Sequence, residues 1–318
     1  MKEWHITSTD KDFSLLIDKI TLLKGRYRDW EEVIEAFQSY FSNKSSAISI
    51  FEDQTLLPRN DFAFHTISLD ESAQNFEKAL REIKQSFLNQ LEFSPLYRQL
   101  VETWESLSEE VEFLSTQMNL GPAQFSMQPF YKQLINKHVN FSQDSYESLT
   151  NYEKVLFQLT ALLHTSYDKK NIICLISPEK YLTATEVKNF IARLNSTLHG
   201  NHYFLITSEP LDYTENILYK NRIINDLSLS VFRDQLKEVS PIQWSDDTFD
   251  IACKWYRKLV DNSRAKPVYL EAQSVDNLEI FIYLYSLFIL TDTPVIVDLS
   301  KIPLHLRKYF DDLIADTV

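Results

Sequence analysis

Three glycines in a chain of 318 residues, against the roughly 7% of an ordinary protein, are Gly25, Gly121 and Gly200. Neither G-x-G-x-x-G nor G-x-x-x-x-G-K-[ST] can be written around them, so an intact nucleotide-binding loop of either type is excluded. Lys and Arg number 32 against 45 Asp and Glu, a net charge of −13, which excludes a molecule that adheres to nucleic acid over its whole surface and confines any DNA contact to a local patch.

With 44% hydrophobic and 24% charged residues the chain can bury a sizeable core, and its length predicts about two domains. Met1-Lys2-Glu3-Trp4-His5 contains no apolar secretion-signal core. Leu278–Leu290 is the longest greasy stretch; it carries Glu279 and falls short of the ~20 residues a membrane span needs. Two cysteines, Cys174 and Cys253, make no disulfide framework, and Cys174 lies within an apolar run. A cytoplasmic protein without a membrane segment is expected.

Along the chain, a helix around Trp30–Phe41 is followed by the β-branched alternation Ala47-Ile48-Ser49-Ile50-Phe51, an α/β opening. From Phe76 the apolar residues Phe76, Leu80, Ile83 and Phe87, then Leu100, Trp104, Leu107, Val111, Leu114 and Met118, follow a 4, 3, 4 spacing. That is a heptad seam, and it predicts that Trp104 and Met118 are core. Pro95 disfavours helix at Ser94, so two helices or a kinked one are expected, ending at Gly121-Pro122. Phe130, Leu134, Ile135 and Val139 predict a returning helix, and Tyr146–His164 a further one.

At Asn171 the period changes. Ile172–Ile176 is a continuous apolar strand of the kind buried on both faces of a parallel sheet. Thr183-Ala184-Thr185-Glu186 is a capping box opening a helix to about Leu198, and Tyr203–Thr207 returns as a strand, which together make a βαβ unit. The same grammar recurs as Val268-Tyr269-Leu270, a helix about Asn277–Leu290, and Val295-Ile296-Val297, with Ser245-Asp246-Asp247-Thr248 capping the helix before. A smaller α/β unit from about residue 240 is expected.

The stretch 19–28 holds Lys19, Lys24, Arg26 and Arg28 and no carboxylate, and 113–143 holds Lys132 and Lys137 and no acid. A solvated loop and a solvated helix face are the ordinary explanation; phosphate contact is the sharper one.

Catalytic groupings are sparse. His199-Gly200-Asn201-His202 lacks further metal ligands, and Pro178-Glu179-Lys180 lacks the carboxylates that would complete a two-metal nuclease. The groups Glu109-Glu110-Glu112, Asp246-Asp247-Asp250 and Asp311-Asp312-Asp316 suit a hard cation or simply exposed helix faces. No serine or cysteine sits in a nucleophile elbow.

Lys169-Lys170-Asn171-Ile172-Ile173-Cys174-Leu175-Ile176-Ser177, then Tyr181-Leu182-Thr183-Ala184-Thr185-Glu186-Val187, then Phe204-Leu205-Ile206-Thr207-Ser208-Glu209-Pro210 resembles the type II-A CRISPR-associated adaptation protein family. In that family a basic pair opens an apolar strand, a capped helix follows, and the next strand ends near Glu-Pro. Phe51-Glu52-Asp53 through Arg59 to Ile67 matches more weakly, and the resemblance covers about residues 12–230. Residues 240–318 are similar to the C-terminal extension of the family's large forms.

The resemblance implies a degenerate P-loop-NTPase-like α/β head (1–75 and 151–239), a projecting helical leg (76–150) and an additional small C-terminal α/β unit (240–318). It implies a non-enzymatic homotetrameric ring that threads linear double-stranded DNA during spacer acquisition, beside the CRISPR integrase complex and the type II effector nuclease. A metal-dependent nuclease and a protein scaffold with incidental DNA contact are the alternatives.

Short members carry carboxylates between the leg helices, associated with calcium; here 119–126 offers no ionised oxygen. Gln54 and Leu56 replace lysines of the family's loop, where only Arg59 keeps the charge. DNA contact is therefore expected at Arg59, at Lys24, Arg26 and Arg28, or at Lys132 and Lys137.

Overall fold

The computed structural model describes residues 1–8, 12–42, 46–69, 72–119, 121–139, 148–165, 169–196, 200–263, 267–271, 275, 277–300 and 302–317. It divides into two compact units, Met1–Thr66 with Lys169–Val318, and Ile67–Asp168.

The first unit opens with three strands that the sequence reading did not anticipate: β1 (Lys2–Thr7), β2 (Asp12–Ile17) and β3 (Ile20–Lys24). In β1 only Trp4 and Ile6 alternate inward, too short a pattern to separate from noise. Helix α1 (Tyr27–Ser42) follows, burying Trp30, Val33, Ile34, Phe37 and Tyr40 on one stripe. Then come β4 (Ser49–Glu52), β5 (Thr55–Leu56) and β6 (Phe62–Ile67).

After the second unit, the expected strand–helix–strand stands as β7 (Lys170–Ile176), α6 (Ala184–Ser196) and β8 (His202–Thr207), with β7 and β8 parallel neighbours. The capping box forms: the Thr183 hydroxyl accepts from the Glu186 amide at 3.3 Å, and the Glu186 carboxylate accepts from the Thr183 amide at 2.7 Å. Strands β9 (Thr214–Tyr219) and β10 (Arg222–Ile224) make an antiparallel hairpin.

Strands β1 to β10 make two of the described sheets, an antiparallel one in the order β2-β1-β4-β5 and a six-stranded one in the order β10-β9-β3-β8-β7-β6. In the latter β3 lies between β8 and β9, parallel to both, and all five of its residues are buried. A strand covered on both faces buries even its polar residues, and Thr21 and Lys24 are enclosed along with Ile20, Leu22 and Leu23. Asn216, fully buried on β9, joins the sheets: its side-chain oxygen accepts from the Leu16 amide and its amide donates to the Leu16 carbonyl, each at 2.9 Å, as a neighbouring strand would.

The chain continues through α7 (Asp226–Ser230), α8 (Phe232–Val239), α9 (Asp246–Asn262), β11 (Val268–Glu271), α10 (Leu278–Leu290), β12 (Val295–Asp298) and α11 (Leu304–Thr317). The expected second strand–helix–strand is present, β11 parallel to β12, and the Ser245 side chain caps α9 by accepting from the Thr248 amide. Helix α10 is apolar around its whole circumference because α8, α9 and α11 all pack against it. Its core is continuous with the head: Ile217, Tyr219 and Ile224 of the hairpin join Tyr256, Phe281, Phe288 and Phe310. Residues 240–318 therefore share a core with β9 and β10.

The second unit is helical: α2 (Ser72–Glu92), α3 (Pro95–Gln117), α4 (Lys132–His138) and α5 (Asn151–Thr165). Proline at the first position of α3 separates it from α2, as the pre-proline restriction requires. Helix α5, which the sequence reading assigned to the head, packs against α2.

The heptad seam is not a buried seam. Leu107 is 46% and Met118 61% exposed, with Phe87, Leu100 and Leu114 also exposed. The reading of Met118 as core is thus corrected: 4, 3 spacing marks one face of a helix, and of that face Trp104 and Val111 are half-buried while Leu100, Leu107, Leu114 and Met118 stay exposed. Trp104 is half-buried, its indole N–H donating to the Gln128 carbonyl at 3.0 Å and its ring meeting Phe130 edge-on. No helix among the described residues is long and apolar enough to cross a membrane.

Candidate nucleic-acid interface

Doubly wound sheets bind ligands at the C-terminal ends of parallel strands, where neighbouring connections diverge. In this sheet that place lies at the end of β3. Only Gly25 and Arg26 separate β3 from α1. Gly25 has φ of 123°, a value that strains any residue with a Cβ, and its amide donates to the Thr207 carbonyl at 3.0 Å. The chain thus turns directly into the helix, with no loop to wrap a phosphate.

Lys24 closes the crevice behind this turn. It is 5% exposed, and its amine donates to the Glu209 carbonyl at 2.8 Å and the Ser208 carbonyl at 3.4 Å, 3.8 Å from the Asp261 carboxylate of α9. Beside it Arg257 of α9 stands 3.5 Å from Glu215 and 3.1 Å from Asp226. Burial pushes the Glu215 carboxyl above the ordinary range, against the pull of Arg257 and Lys24. The expectation that Lys24 stands on an open cationic stretch is corrected: a terminal strand residue of a two-sided sheet is drawn into the core, and its charge is matched there.

Arg26 and Arg28 are exposed at the start of α1. The Asp29 carboxylate accepts from the Arg26 amide at 3.0 Å and holds this turn. Arg28 lines a cavity of about 360 Å³ together with Lys220 at the tip of the β9–β10 hairpin; Asp29 and Glu32 line it too. Lys220 and Arg222 escaped the sequence reading. Lys220-Asn221 has positive φ at both residues, 46° and 65°, a two-residue hairpin turn that a Lys-Asn pair between strands could have signalled. Its nearness to Arg28 could not have been read that way.

Arg59 is half-buried. Its guanidinium donates to the carbonyls of Ser46 at 3.2 Å and Ile48 at 3.1 Å and lies 4.4 Å from the centre of the Tyr40 ring. The expectation of a freely presented phosphate contact is corrected there also, since these bonds tie the approach to β4 onto α1. Lys137 is exposed in the last turn of α4; Lys132 begins that helix, and its side chain lies outside the described residues. The structure therefore brings Arg28 and Lys220 together next to Arg26, and commits Lys24 and Arg59 internally.

Groups weighed for chemistry have structural partners. Arg233 donates to Asp246 and to Asp250, each at 2.6 Å, so a guanidinium sits between two carboxylates considered for a cation. The Glu179 carboxylate accepts from the Thr207 hydroxyl at 2.9 Å and the Ser208 amide at 3.2 Å, pinning the turn after β7 to the end of β8. His199 lies outside the described residues; His202 bonds the Asp18 carbonyl through Nδ1 at 3.1 Å and meets the Trp4 ring. Burial pushes the Cys253 thiol up to about 12 and that of Cys174 upward as well, so both are held as thiols at neutral pH.

Among the described residues no group of three or more His, Cys, Asp and Glu could hold a metal ion. The turn after α3, with Asn119 and Gly121 at positive φ, presents amide side chains and no carboxylate, and this donor set does not fit calcium.

With this geometry in hand, the comparisons with known proteins concern architecture. No family model matches the sequence, and no curated relative matches it. The fold is similar to that in the crystal structure of Stu0660 of Streptococcus thermophilus, at 16% identity and a TM-score of 0.55, covering 97% of this chain and 99% of that one. The likeness spans both units and the C-terminal extension, and at this identity it is a likeness of fold. Weaker matches are MJ1267, an ATP-binding cassette of an ABC transporter (13% identity, 70% of this chain and 90% of that one, TM-score 0.36), and cbiO1 from Clostridium perfringens, part of the ABC transporter complex cbiONQ (13%, 72% and 85%, 0.35). The chain has a mixed α/β fold with a largely parallel central sheet.

Proposed function

We propose that this protein is a non-enzymatic, sequence-independent binder of linear double-stranded DNA that works as a homotetrameric ring in CRISPR spacer acquisition, beside the integrase complex and the type II effector nuclease. The head is a degenerate P-loop-like domain in this reading. The observation that carries it is the Gly25-Arg26 turn. Where a nucleotide hydrolase wraps phosphates in a glycine-rich loop, this chain makes a two-residue link, seals the crevice with Lys24, and turns Arg26 and Arg28 to solvent.

Exposed arginines contact the duplex backbone without reading bases, since phosphates carry affinity and no sequence. The strand and helix motifs of 169–210, which resemble the type II-A adaptation family, supply the biological setting. A local basic patch on an anionic chain suits a ring whose inner wall alone meets DNA.

The test is retention of linear against covalently closed circular duplex of equal length. Threading predicts binding of the linear form only. Equal binding of both forms discards the ring, and cleavage of either with Mg²⁺ or Mn²⁺ restores the nuclease reading.

The scaffold reading has one specific observation in its favour, the exposed apolar side chains Leu100, Leu107 and Leu114 on one face of α3. Contiguous exposed apolar side chains on one helix face suit a protein partner. Under that reading, substitution of Leu107 and Leu114 abolishes assembly and leaves DNA retention by the separated chains unchanged.

A further inference from the structure

A second cavity, of about 390 Å³, lies between the β9–β10 hairpin and the helices α7, α8, α9 and α10, and shares Tyr219 and Lys220 with the cavity that Arg28 lines. Cavities that hold small molecules run from roughly 300 to 1,000 Å³, so it is the size for one compact ligand.

Its lining has three chemically distinct parts. Ile224, Leu229, Phe232 and Leu290 make apolar walls, with the Tyr219 ring beside them. On the buried side three hydroxyls form a triangle: Tyr256 to Thr293 at 2.7 Å, Tyr256 to Thr291 at 2.8 Å, and Thr291 to Thr293 at 2.9 Å. Thr291 can also donate to the Leu287 carbonyl at 2.7 Å, in which case the triangle keeps more acceptor lone pairs than hydrogens to fill them, and its half-buried Thr291 oxygen can accept from a ligand. The exposed side carries two cations, Lys220 and Arg222, against one carboxylate, Asp292. One N–H of Arg222 donates to the Thr291 carbonyl at 3.3 Å, which fixes the guanidinium to the lining.

Apolar walls with an aromatic ring favour a flat body; hydroxyls that both donate and accept favour a polar ring edge over an acyl chain; paired cations favour an anionic group. We infer that this cavity binds a nucleoside monophosphate, its base between the apolar walls and its phosphate against Arg222 and Lys220. The inference goes beyond the DNA-binding reading and does not depend on a ring. A free mononucleotide and the terminal nucleotide of a DNA strand present the same chemistry.

The experiment is calorimetric titration of the full chain with AMP, with CMP and with inorganic phosphate. Saturable one-to-one binding of a mononucleotide, with phosphate alone at least tenfold weaker, is expected. Arg222→Ala should weaken it about tenfold or more, the loss of one charge-assisted hydrogen bond, and Lys220→Asn, which tolerates positive φ, should weaken it severalfold. Both side chains are exposed, and unchanged thermal melting verifies that each variant folds. Competition by a short 5′-phosphorylated strand identifies strand ends as a source, and its absence identifies the free nucleotide. If neither mononucleotide saturates, or Arg222→Ala and Lys220→Asn both bind as the parent does, the inference is overturned.

Discussion

The Lys24 amine lies 3.8 Å from the Asp261 carboxylate and donates to the Glu209 carbonyl at 2.8 Å, joining the central strand of the head to the C-terminal helix α9. The relationship encloses the Lys24 amine, while the hydrophobic core shared with β9 and β10 holds the C-terminal region in place. Lys24→Met removes the amine that donates to two carbonyls and neighbours the Asp261 carboxylate, and should lower the unfolding free energy by about 2–3 kcal/mol. Urea denaturation measures this. DNA retention at permissive temperature should be unchanged.

The opposite behaviour is expected at the surface. The pair Arg26→Glu and Arg28→Glu should leave the urea midpoint nearly in place and weaken DNA retention strongly. If each arginine neutralises one phosphate, a tetramer of the double variant loses about eight contacts and its log–log salt dependence becomes shallower by about 7. Retention measured from 50 to 200 mM salt checks the slope, and an unaltered slope removes these residues from the interface.

Thr183→Ala removes the hydroxyl that accepts from the Glu186 amide while keeping the backbone. A lost N-cap of this kind costs about 1 kcal/mol. Glu186, whose carboxyl is held below its ordinary range first by the Thr183 amide and then by the Thr183 hydroxyl, should lose only the hydroxyl's share of that depression, so its titration moves part of the way back toward the ordinary value, which carboxylate NMR titration reads directly.

His202 sets a pH dependence. Burial holds its imidazole below the ordinary value of 6.5, opposed by the Asp18 carbonyl and Glu52 and helped by Lys2 and Lys170. The unfolded chain therefore takes up a proton as pH falls through about 6.5, while the folded chain takes it up only at lower pH. Its contribution to stability is present above 6.5 and declines as pH falls through the folded-state pKa. His202→Gln should flatten the decline between pH 7 and 5; unfolding free energies at several pH values measure it, and equal slopes would exclude this residue as the cause.

Leu107→Gln and Leu114→Gln alter side chains already exposed on α3, so each should change unfolding free energy by less than about 0.5 kcal/mol. If this face joins copies of the chain, light scattering should register a fall in solution mass in the double variant. A parent protein that is itself a monomer at micromolar concentration would remove the ring.

Local patterns carried a large part of the architecture. The apolar run Ile172–Leu175, the Thr183–Glu186 box and the return at Tyr203 determined a strand–helix–strand from contiguous residues, because helix capping and strand burial leave their marks within a few positions. Val268 to Val297 did the same, and Pro95 split α2 from α3. The absence of a glycine-rich phosphate loop was likewise a property of composition, which no tertiary contact could reverse.

What only the tertiary structure decided is where each charge and each apolar face ends up. Lys24 and Arg26 are two residues apart and look alike in sequence, yet one is held by residues about 185 and 237 positions away and the other meets solvent. Arg28 and Lys220 line one cavity because a hairpin folds beside α1, and Leu107 is exposed although Trp104, one turn earlier, packs against Phe130. Burial and charge pairing are set by which distant segments arrive, and their free energies depend on that surrounding medium, so a linear string of residues cannot state them.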